Sequence, residues 1–412
     1  MTRIIAKAGK IYFESVRMGL ENCGITFTPN HMVHILQWHD SLKEKDFWEK
    51  LYPWQVTNRI PSASVLTRKA SLARITQEIQ KIFPSEYQFI PKSYIIPDQY
   101  DEFIDMLKTT KKTWIIKPDG GSLGKGIIII EPGQKIDVPR QPAVAQEYID
   151  SITIDNRKFD FRIYVLVASI KPLRIYVYRN GLGRFCSEEV GIDPIFSRLT
   201  NVTLNKQHNS DFKIISRMIV DILPELKKLG LSEEEFWKKV DDCAVKTILS
   251  AINLLTSSES VHCPACGYSR CFQIFGFDII FDKKLNPFVL EVNYRPNLDY
   301  HRGVERRMKS QMISDAIKLA VPLSAVQSII SQRVVSWDPN SWRRFVRNQF
   351  EIMKAISGER FSAEKSTNYH RVYMSNCNDN RFYDRLYSTI LKLPINSIPG
   401  YEITLHKLDG EA

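Results

Sequence analysis

The stretch GFDIIFDKKLNPFVLEVN, Gly276 to Asn293, sets Asp278, Glu291 and Asn293 inside two apolar, β-prone runs. Polar and charged side chains in such runs cost stability when buried without a partner, so each demands an explanation. Asp282 to Pro287 reads as a turn between FDIIF and FVLEV. A four-residue loop, Lys283 to Asn286, pairs Asp282 with Pro287 and, counting outward, Asp278 with Glu291. Opposed residues share a face, so the two carboxyls are expected roughly 5 Å apart. Asn293 shares that face, and Phe288, Leu290 and Val292 are expected in the core. Two like charges so opposed are destabilising. A hard divalent cation of the Mg2+ type relieves the conflict, as would a neighbouring lysine or arginine, or a proton on one carboxyl.

Working outward, WIIKPDGGSLGKGIIII, Trp114 to Ile130, places a loop of glycines and lysines between two apolar runs. Gly120, Gly121, Gly124 and Gly126 allow backbone amides to approach a phosphate closely, and Lys117 and Lys125 can pair with its oxygens. The Walker pattern fails, because Asp119 stands at its first position and Gly126 at its last. By itself the segment is either a phosphate loop or a plain glycine hairpin. In RKFDFRIYVLV, Asp160, Arg162 and Tyr164 share one strand face, and Phe161, Ile163 and Val165 the other. Such an arginine suits charge building on a phosphoryl group; an ordinary Asp–Arg pair on a sheet fits equally well.

FDFRIYVLVAS and LRIYVY, joined at Lys171-Pro172, predict a hairpin. Leu72, Ile75, Ile79 and Ile82 predict an amphipathic helix ending before Pro84. Ser232 with Glu235 predicts a capping box opening a helix whose buried stripe is Phe236, Val240, Ala244, Ile248, Ala251 and Leu255. Residues from about 110 to 300 therefore form an α/β or α+β core.

The 412 residues, 43% hydrophobic and 25% charged, suit two or three domains. A net charge of +11 points to an acidic partner: nucleic acid, an anionic membrane or a polyacidic protein tail, unless the lysines are simply solvated. Seven cysteines in so long a chain favour a reducing compartment. The opening MTRIIAKAGK lacks the apolar run of a signal peptide, and no window reaches the roughly 18 apolar residues of a membrane span.

Taken in order, the lysine-ended strand and glycine loop, QEYI (Gln146 to Ile149), FDFR and D…E-x-N resemble the ATP-grasp ligases. The chain is more closely similar to the tubulin tyrosine ligase-like family. NRIPSASVLTRKASLAR, IFPSEYQFIPKSYIIP, LTNVTLNK, CFQIFGFDI and NYHRVY carry that likeness almost end to end. KPDGG further resembles the polyglutamylases that elongate glutamate side chains. The resemblance implies an ATP-grasp-like fold with an N-terminal domain (1–66), a central domain with the phosphate loop (67–150), a C-terminal domain with the metal (151–322) and a basic helical appendage (323–412).

It also implies roles. Lys117, Lys125 and Gly126 would hold ATP phosphates; Gln146, Glu147, Tyr148 and Ile149 would form the adenine hinge; Lys158, Asp160, Thr200 and Asn201 would complete the nucleotide site. Asp278, Glu291 and Asn293 would bind Mg2+, Arg162 would stabilise developing charge, and Arg184 with Val202 and Thr203 would take the incoming glutamate. The implied partners are tubulin C-terminal tails or microtubules and free glutamate, with no nucleic acid and no membrane. The implied place is the cytoplasm and its microtubules, including cilia or basal bodies. Arg343, Arg344 and Arg347 would meet the microtubule surface or form a solvated face.

Four departures qualify this. Ser122-Leu123 replaces a Cys-Gln pair, and Tyr294-Arg295-Pro296-Asn297 replaces a histidine-containing segment. A basic segment offering glutamate a lysine is missing, with Lys213 an unanchored substitute. His262, Cys263 and Cys266, with Cys271 nearby, form either a zinc loop or an ordinary reduced one. The alternatives are therefore a glycine or tyrosine ligase, a glutamylase of another acidic protein, or an inactive microtubule-binding relative.

Overall fold

The computed structural model describes residues 4–8, 11–27, 34–41, 45–51, 55–120, 124–134, 138–193, 195–209, 211–263, 269–321, 358–359, 361–375, 377 and 380–393. The first unit is a parallel sheet of order β2-β1-β3-β4. It comprises β1 (Ile4–Ala8), α1 (Glu14–Asn22), β2 (Ile25–Phe27), β3 (Leu36–Trp38), α2 (Lys45–Glu49) and β4 (Val56–Thr57).

A 3-10 turn, Ala63–Leu66, leads into α3 (Lys69–Ile82). Leu72, Ile75 and Ile79 are buried as their spacing predicts, whereas Ile82, the last helical residue before the Phe83-Pro84 turn, is exposed. The second sheet is antiparallel, of order β5-β8-β6-β7. Its elements are β5 (Ser93–Ile96), α4 (Tyr100–Leu107), β6 (Trp114–Pro118), β7 (Ile128–Ile130) and β8 (Ala143–Glu147). Helix α3 covers one face, packing Ala73 on Ile95 and Val144, while Phe103 of α4 packs with Trp114, Ile116 and Ala145 on the other.

The third sheet holds β9 (Thr153–Ile154), β10 (Arg157–Ile170), β11 (Leu173–Phe185), β12 (Ser216–Met218), β13 (Gln273–Phe281) and β14 (Pro287–Asn293). Around it lie α5 (Val202–His208), α6 (Phe212–Ile215), α7 (Ile219–Lys228), α8 (Glu233–Ser250), α9 (Ile252–His262) and α10 (Gly303–Ala320). β10 and β11 are joined at Lys171-Pro172 and are buried on both faces, because each face has its own core. Phe161, Ile163 and Val165 pack with α8, whose capping box at Ser232 and Glu235 and whose buried Phe236, Val240, Ala244 and Ile248 follow the sequence reading; the helix ends at Ser250, however, so Ala251 caps it and Leu255 is buried on α9 instead. Tyr164, Leu166 and Ala168 pack instead with α1 and α10. The α1–α10 contact is close: a Cβ on Gly19 would stand 2.6 Å from Ile313 Cβ.

Two sequence expectations are corrected here. Beyond residue 322 the chain is not only helical. β15 (Tyr369–Met374) pairs antiparallel with β11 as a seventh strand, and α11 (Arg381–Leu391) buries Leu386 and Ile390. NYHRVY alternates and is β-branched and aromatic enough to read as a strand, but it lies far from its partner in sequence. Arg343, Arg344 and Arg347 lie outside the described residues.

The second correction concerns the decisive hairpin. Phe281, not Asp282, pairs with Pro287, and Ile279 pairs with Val289. One residue further, Asp278 pairs with Glu291, leaving Leu290 as the extra residue of a β-bulge. The expected Asp278–Glu291 pair is present, reached by another register. Its consequence is visible in burial: Val289 and Val292 enter the core, whereas Phe288 and Leu290 are only partly covered.

Candidate functional site

The polar side chains of the large sheet form one row across its strands. Ser216 of β12 pairs with Arg184 of β11, and Arg184 with Asp160 of β10. Arg162 of β10 pairs with Asp278 of β13, and Asp278 with Glu291 of β14. Arg162 grips Asp278 through Nε to Oδ1 at 2.6 Å and Nη2 to Oδ2 at 3.1 Å. Arg184 grips Asp160 at 2.6 and 2.7 Å and reaches Asp278 Oδ2 at 2.8 Å. Thr200 also donates to Asp160, so both carboxylate oxygens of Asp160 are engaged in holding Arg184.

Burial alone would raise the Asp278 pKa, but Arg162 and Arg184 together hold it far below the usual carboxylate range. Burial likewise opposes the charge on Arg162, and Asp278 outweighs it, raising that pKa. Glu291 goes the other way: burial, then the facing Asp278, push its pKa up against the pull of Lys69 and Lys117. Asn293 Nδ2 lies 3.2 Å from Gly276 O, 3.3 Å from Asp278 Oδ2 and 3.4 Å from Glu291 Oε1. The conflict seen in the sequence is thus answered by arginine at Asp278, while Glu291, with Lys69 at 3.9 Å, keeps a raised pKa.

Against this row stands the second sheet. Lys117, at the end of β6, donates to Gln146 Oε1 at 2.8 Å. Burial lowers its pKa to about 8, although Glu291, Asp278 and Asp160 favour its charge. Lys69, in the first turn of α3, comes within 3.9 Å of Glu291. Asp119, from the glycine loop, accepts from the Ala70 amide at 2.9 Å and so tethers that loop to the start of α3. Gly124 and Gly126 adopt positive φ, +78 and +71, which a side chain would strain. A Cβ on Gly124 would meet Asn201 Oδ1 at 3.6 Å, so the loop and the Thr200-Asn201 segment adjoin. Lys125 is exposed, and Gly121, Ser122 and Leu123 lie outside the described residues.

In the Gln146 to Ile149 segment, the Glu147 and Tyr148 amides donate to Lys92 O and Thr113 O, both at 2.9 Å. Lys158 Nζ donates to Ile149 O at 2.9 Å and lies 3.5 Å over the Tyr148 ring. Burial lowers the Lys158 pKa to about 7. Asn201 precedes α5, putting Val202 and Thr203 in its first turn, Val202 half-buried and Thr203 exposed.

The structure adds two groups that sequence reasoning missed. Glu305 is buried on α10, takes Arg302 Nε at 3.2 Å and lies 3.4 Å from Ser216 Oγ, beside Arg184. Lys309, one turn on, is buried with a pKa lowered to about 8 by burial, drawn up by Glu305 and opposed by Arg162. The spacing of Glu305 and Lys309 is the i,i+4 step of a helix face, the one signal that would have found them. Lys213 is exposed on α6. Tyr294 and Arg295 are structural ties: Arg59 lies 5.1 Å over the Tyr294 ring, and Arg295 donates to Asp40 O at 2.7 Å. His262 faces Glu49 at 3.4 Å, and Cys263 Sγ lies 3.3 Å from Cys271 Sγ, while Cys266 lies outside the described residues. Among the described residues no cluster of three or more His, Cys, Asp or Glu is poised for a metal, and no helix is long and apolar enough to cross a membrane.

A lysine-bearing antiparallel sheet set over a carboxylate-bearing one defines an ATP-grasp-like protein. Residues 48–329 match the tubulin-tyrosine ligase family, and the chain belongs to it. It is similar to the mouse tubulin polyglutamylase TTLL13, 30% identical over 390 residues, covering 88% of this chain and 48% of that protein. With mouse tubulin polyglutamylase TTLL6 the identity is 31% over 331 residues, 77% of this chain and 40% of the relative. A probable beta-tubulin polyglutamylase of Tetrahymena thermophila is 32% identical over 322 residues, 72% of this chain and 26% of its own length. The chain thus spans less than half the length of these curated relatives.

Proposed function

We propose that this protein is an ATP-dependent polyglutamylase that joins glutamate to glutamate side chains of tubulin C-terminal tails. The observation that carries the reading is the row Arg184, Asp160, Arg162, Asp278, Glu291 facing Lys117. It concentrates arginine and lysine beside a carboxylate pair, as transfer of a phosphoryl group to a carboxylate requires. The names of the relatives supply the acceptor, tubulin.

The donor set fits a hard divalent cation. Asp278 and Glu291 are opposed carboxyls with the Asn293 amide beside both, and the raised pKa of Glu291, caused by burial and then by Asp278, marks a place that favours added positive charge. Asp278, Glu291 and Asn293 would hold Mg2+, which neutralises phosphate charge when bound. Lys117, Lys125 and the amide of Gly126 hold the phosphates. The backbone of Gln146, Glu147, Tyr148 and Ile149, with Lys158, Thr200 and Asn201, seats the nucleoside, and Asp160 acts by fixing Arg184. A tail carboxylate oxygen attacks the γ-phosphorus, ADP leaves, and an acyl phosphate forms. The glutamate amine then attacks the acyl carbon, losing a proton, and phosphate leaves with the isopeptide bond made. Arg162 stabilises the charge that builds on the transferring group. Arg184, held through Nε and Nη2 by Asp160 and Asp278, offers Nη1 to the carboxylate of the incoming glutamate, Lys309 adds the second cation, and Val202 and Thr203 border the pocket.

One observation favours a second reading, a microtubule-binding relative that does not catalyse: Asp278 is already neutralised by two arginines. Incubating the protein with microtubules, Mg-ATP and radiolabelled glutamate, glycine or tyrosine separates the two. Glutamate incorporation into tubulin tails, seen by mass spectrometry and lost in Glu291→Ala, is expected. Incorporation of another amino acid but not glutamate refutes the donor, and none at all, with nucleotide still bound, leaves the second reading.

A further inference from the structure

Behind Lys117 lies a chain of hydrogen bonds with a single possible direction. Ser93 Oγ lies 2.7 Å from the Pro91 carbonyl, which can only accept, so the hydroxyl hydrogen is committed there. On its other side Ser93 Oγ is 3.1 Å from Gln146 Nε2 and must accept from it. Gln146 then has only its oxygen left for Lys117 Nζ, at 2.8 Å. Ser93 and Gln146 are directly paired across β5 and β8, and both are buried, 8% and 7% exposed.

We infer that Ser93 is a positioning residue for nucleotide binding: it fixes the amide of Gln146 so that an oxygen, never an NH2, faces the phosphate-binding ammonium of Lys117. The inference rests on the ATP-site reading above and deepens it. An amide side chain is nearly symmetric in shape, and packing alone does not choose between its two orientations. Lys117 can only donate and favours the same orientation, so Ser93 is the second anchor of the amide; without its hydroxyl the buried Gln146 NH2 is left unpaired. An amide that turns to find another partner for that NH2 withdraws its oxygen from Lys117 and lets the ammonium leave the phosphates. Lys117 is poorly placed to tolerate this, since Lys69 already opposes its charge.

Ser93→Thr and Ser93→Val fill the same volume and differ only in the hydroxyl, so their comparison separates orientation from packing. Titration with a fluorescent ATP analogue should give Ser93→Thr an affinity like wild type and Ser93→Val one about tenfold weaker, the size of one hydrogen bond to a charged group. In tail-glutamylation kinetics the loss should fall on the KM for ATP and leave kcat nearly unchanged. The effect must also vanish in a Lys117→Met background, where there is no ammonium to orient. Equal affinity of the Thr and Val variants, or an undiminished loss with Lys117→Met, overturns the inference and leaves the ATP site standing. Ser93→Ala gives the same comparison if the added methyls are not accommodated. A wild-type protein that binds no nucleotide overturns the ATP-site reading and this inference with it.

Discussion

Lys158 sits with its Nζ on the Ile149 carbonyl and over the Tyr148 ring, and burial lowers its pKa to about 7. In the unfolded chain a lysine titrates near 10.4. Between those values the unfolded state binds a proton that the folded state lacks, so the stability of the nucleotide-free protein rises with pH across that window. Below about 7 both states hold the proton, and the cost of burying the charge is present in full. Lys158→Met removes this contribution. Its thermal unfolding between pH 7 and 9 is expected to climb less steeply than wild type, with a higher Tm at pH 7 and weaker ATP binding. A wild-type slope in the variant would show that Lys158 does not lose its proton on folding. The sequence places this lysine beside Asp160, yet nothing local reveals that it is buried, because the covering ring comes from Tyr148 on another segment.

At the level of elements, the bulge in β14 decides which face Glu291 occupies. Side chains alternate along a strand, so an unbroken register from the Ile279–Val289 pair would turn Glu291 into the core and Leu290 toward Asp278. The extra residue reverses the parity between Val289 and Val292, allowing both to be buried three positions apart. Val289→Ala is therefore expected to destabilise by about 2 kcal/mol, and Leu290→Ala and Phe288→Ala by clearly less, in urea denaturation. The regular hairpin read from the sequence, with Asp282 paired to Pro287, predicts the opposite ranking, with Leu290 and Phe288 the costly positions. Pattern and turn chemistry made the strands and the capping box legible, since each is written in neighbouring residues, whereas the opposed carboxyls were expected from a register that the structure does not keep. A bulge is not written locally, because it is fixed by packing of β14 against α8 and by its pairing with β13. Glu305 and Lys309 were hidden for a related reason: their helix reads as an ordinary amphipathic one until Ser216 and Arg162 are brought against it.

Over the whole molecule the chain builds three separate sheets, and the segment past residue 322 is woven into the last of them. β15 covers the edge of β11 beyond β12, Asn368 accepts from the Arg179 amide at 2.9 Å, and Tyr383 donates to Asp242 at 2.8 Å. Tyr369, Tyr373, Leu386 and Ile390 are each at most 4% exposed and are shared between the two large cores. Burying four such side chains contributes on the order of 8 kcal/mol. That is comparable with the entire net stability of a typical domain, about 5–15 kcal/mol. A chain ending at Val321 would also leave the backbone groups of β11 from Arg174 to Tyr178 unpaired at an open edge, which favours association. Such a truncation is expected to lose cooperative unfolding and to aggregate on purification. Circular dichroism melts and light scattering test this directly: a soluble truncated protein melting within a few degrees of the full chain would mean that β15 and α11 are accessory, and that the large sheet closes without them.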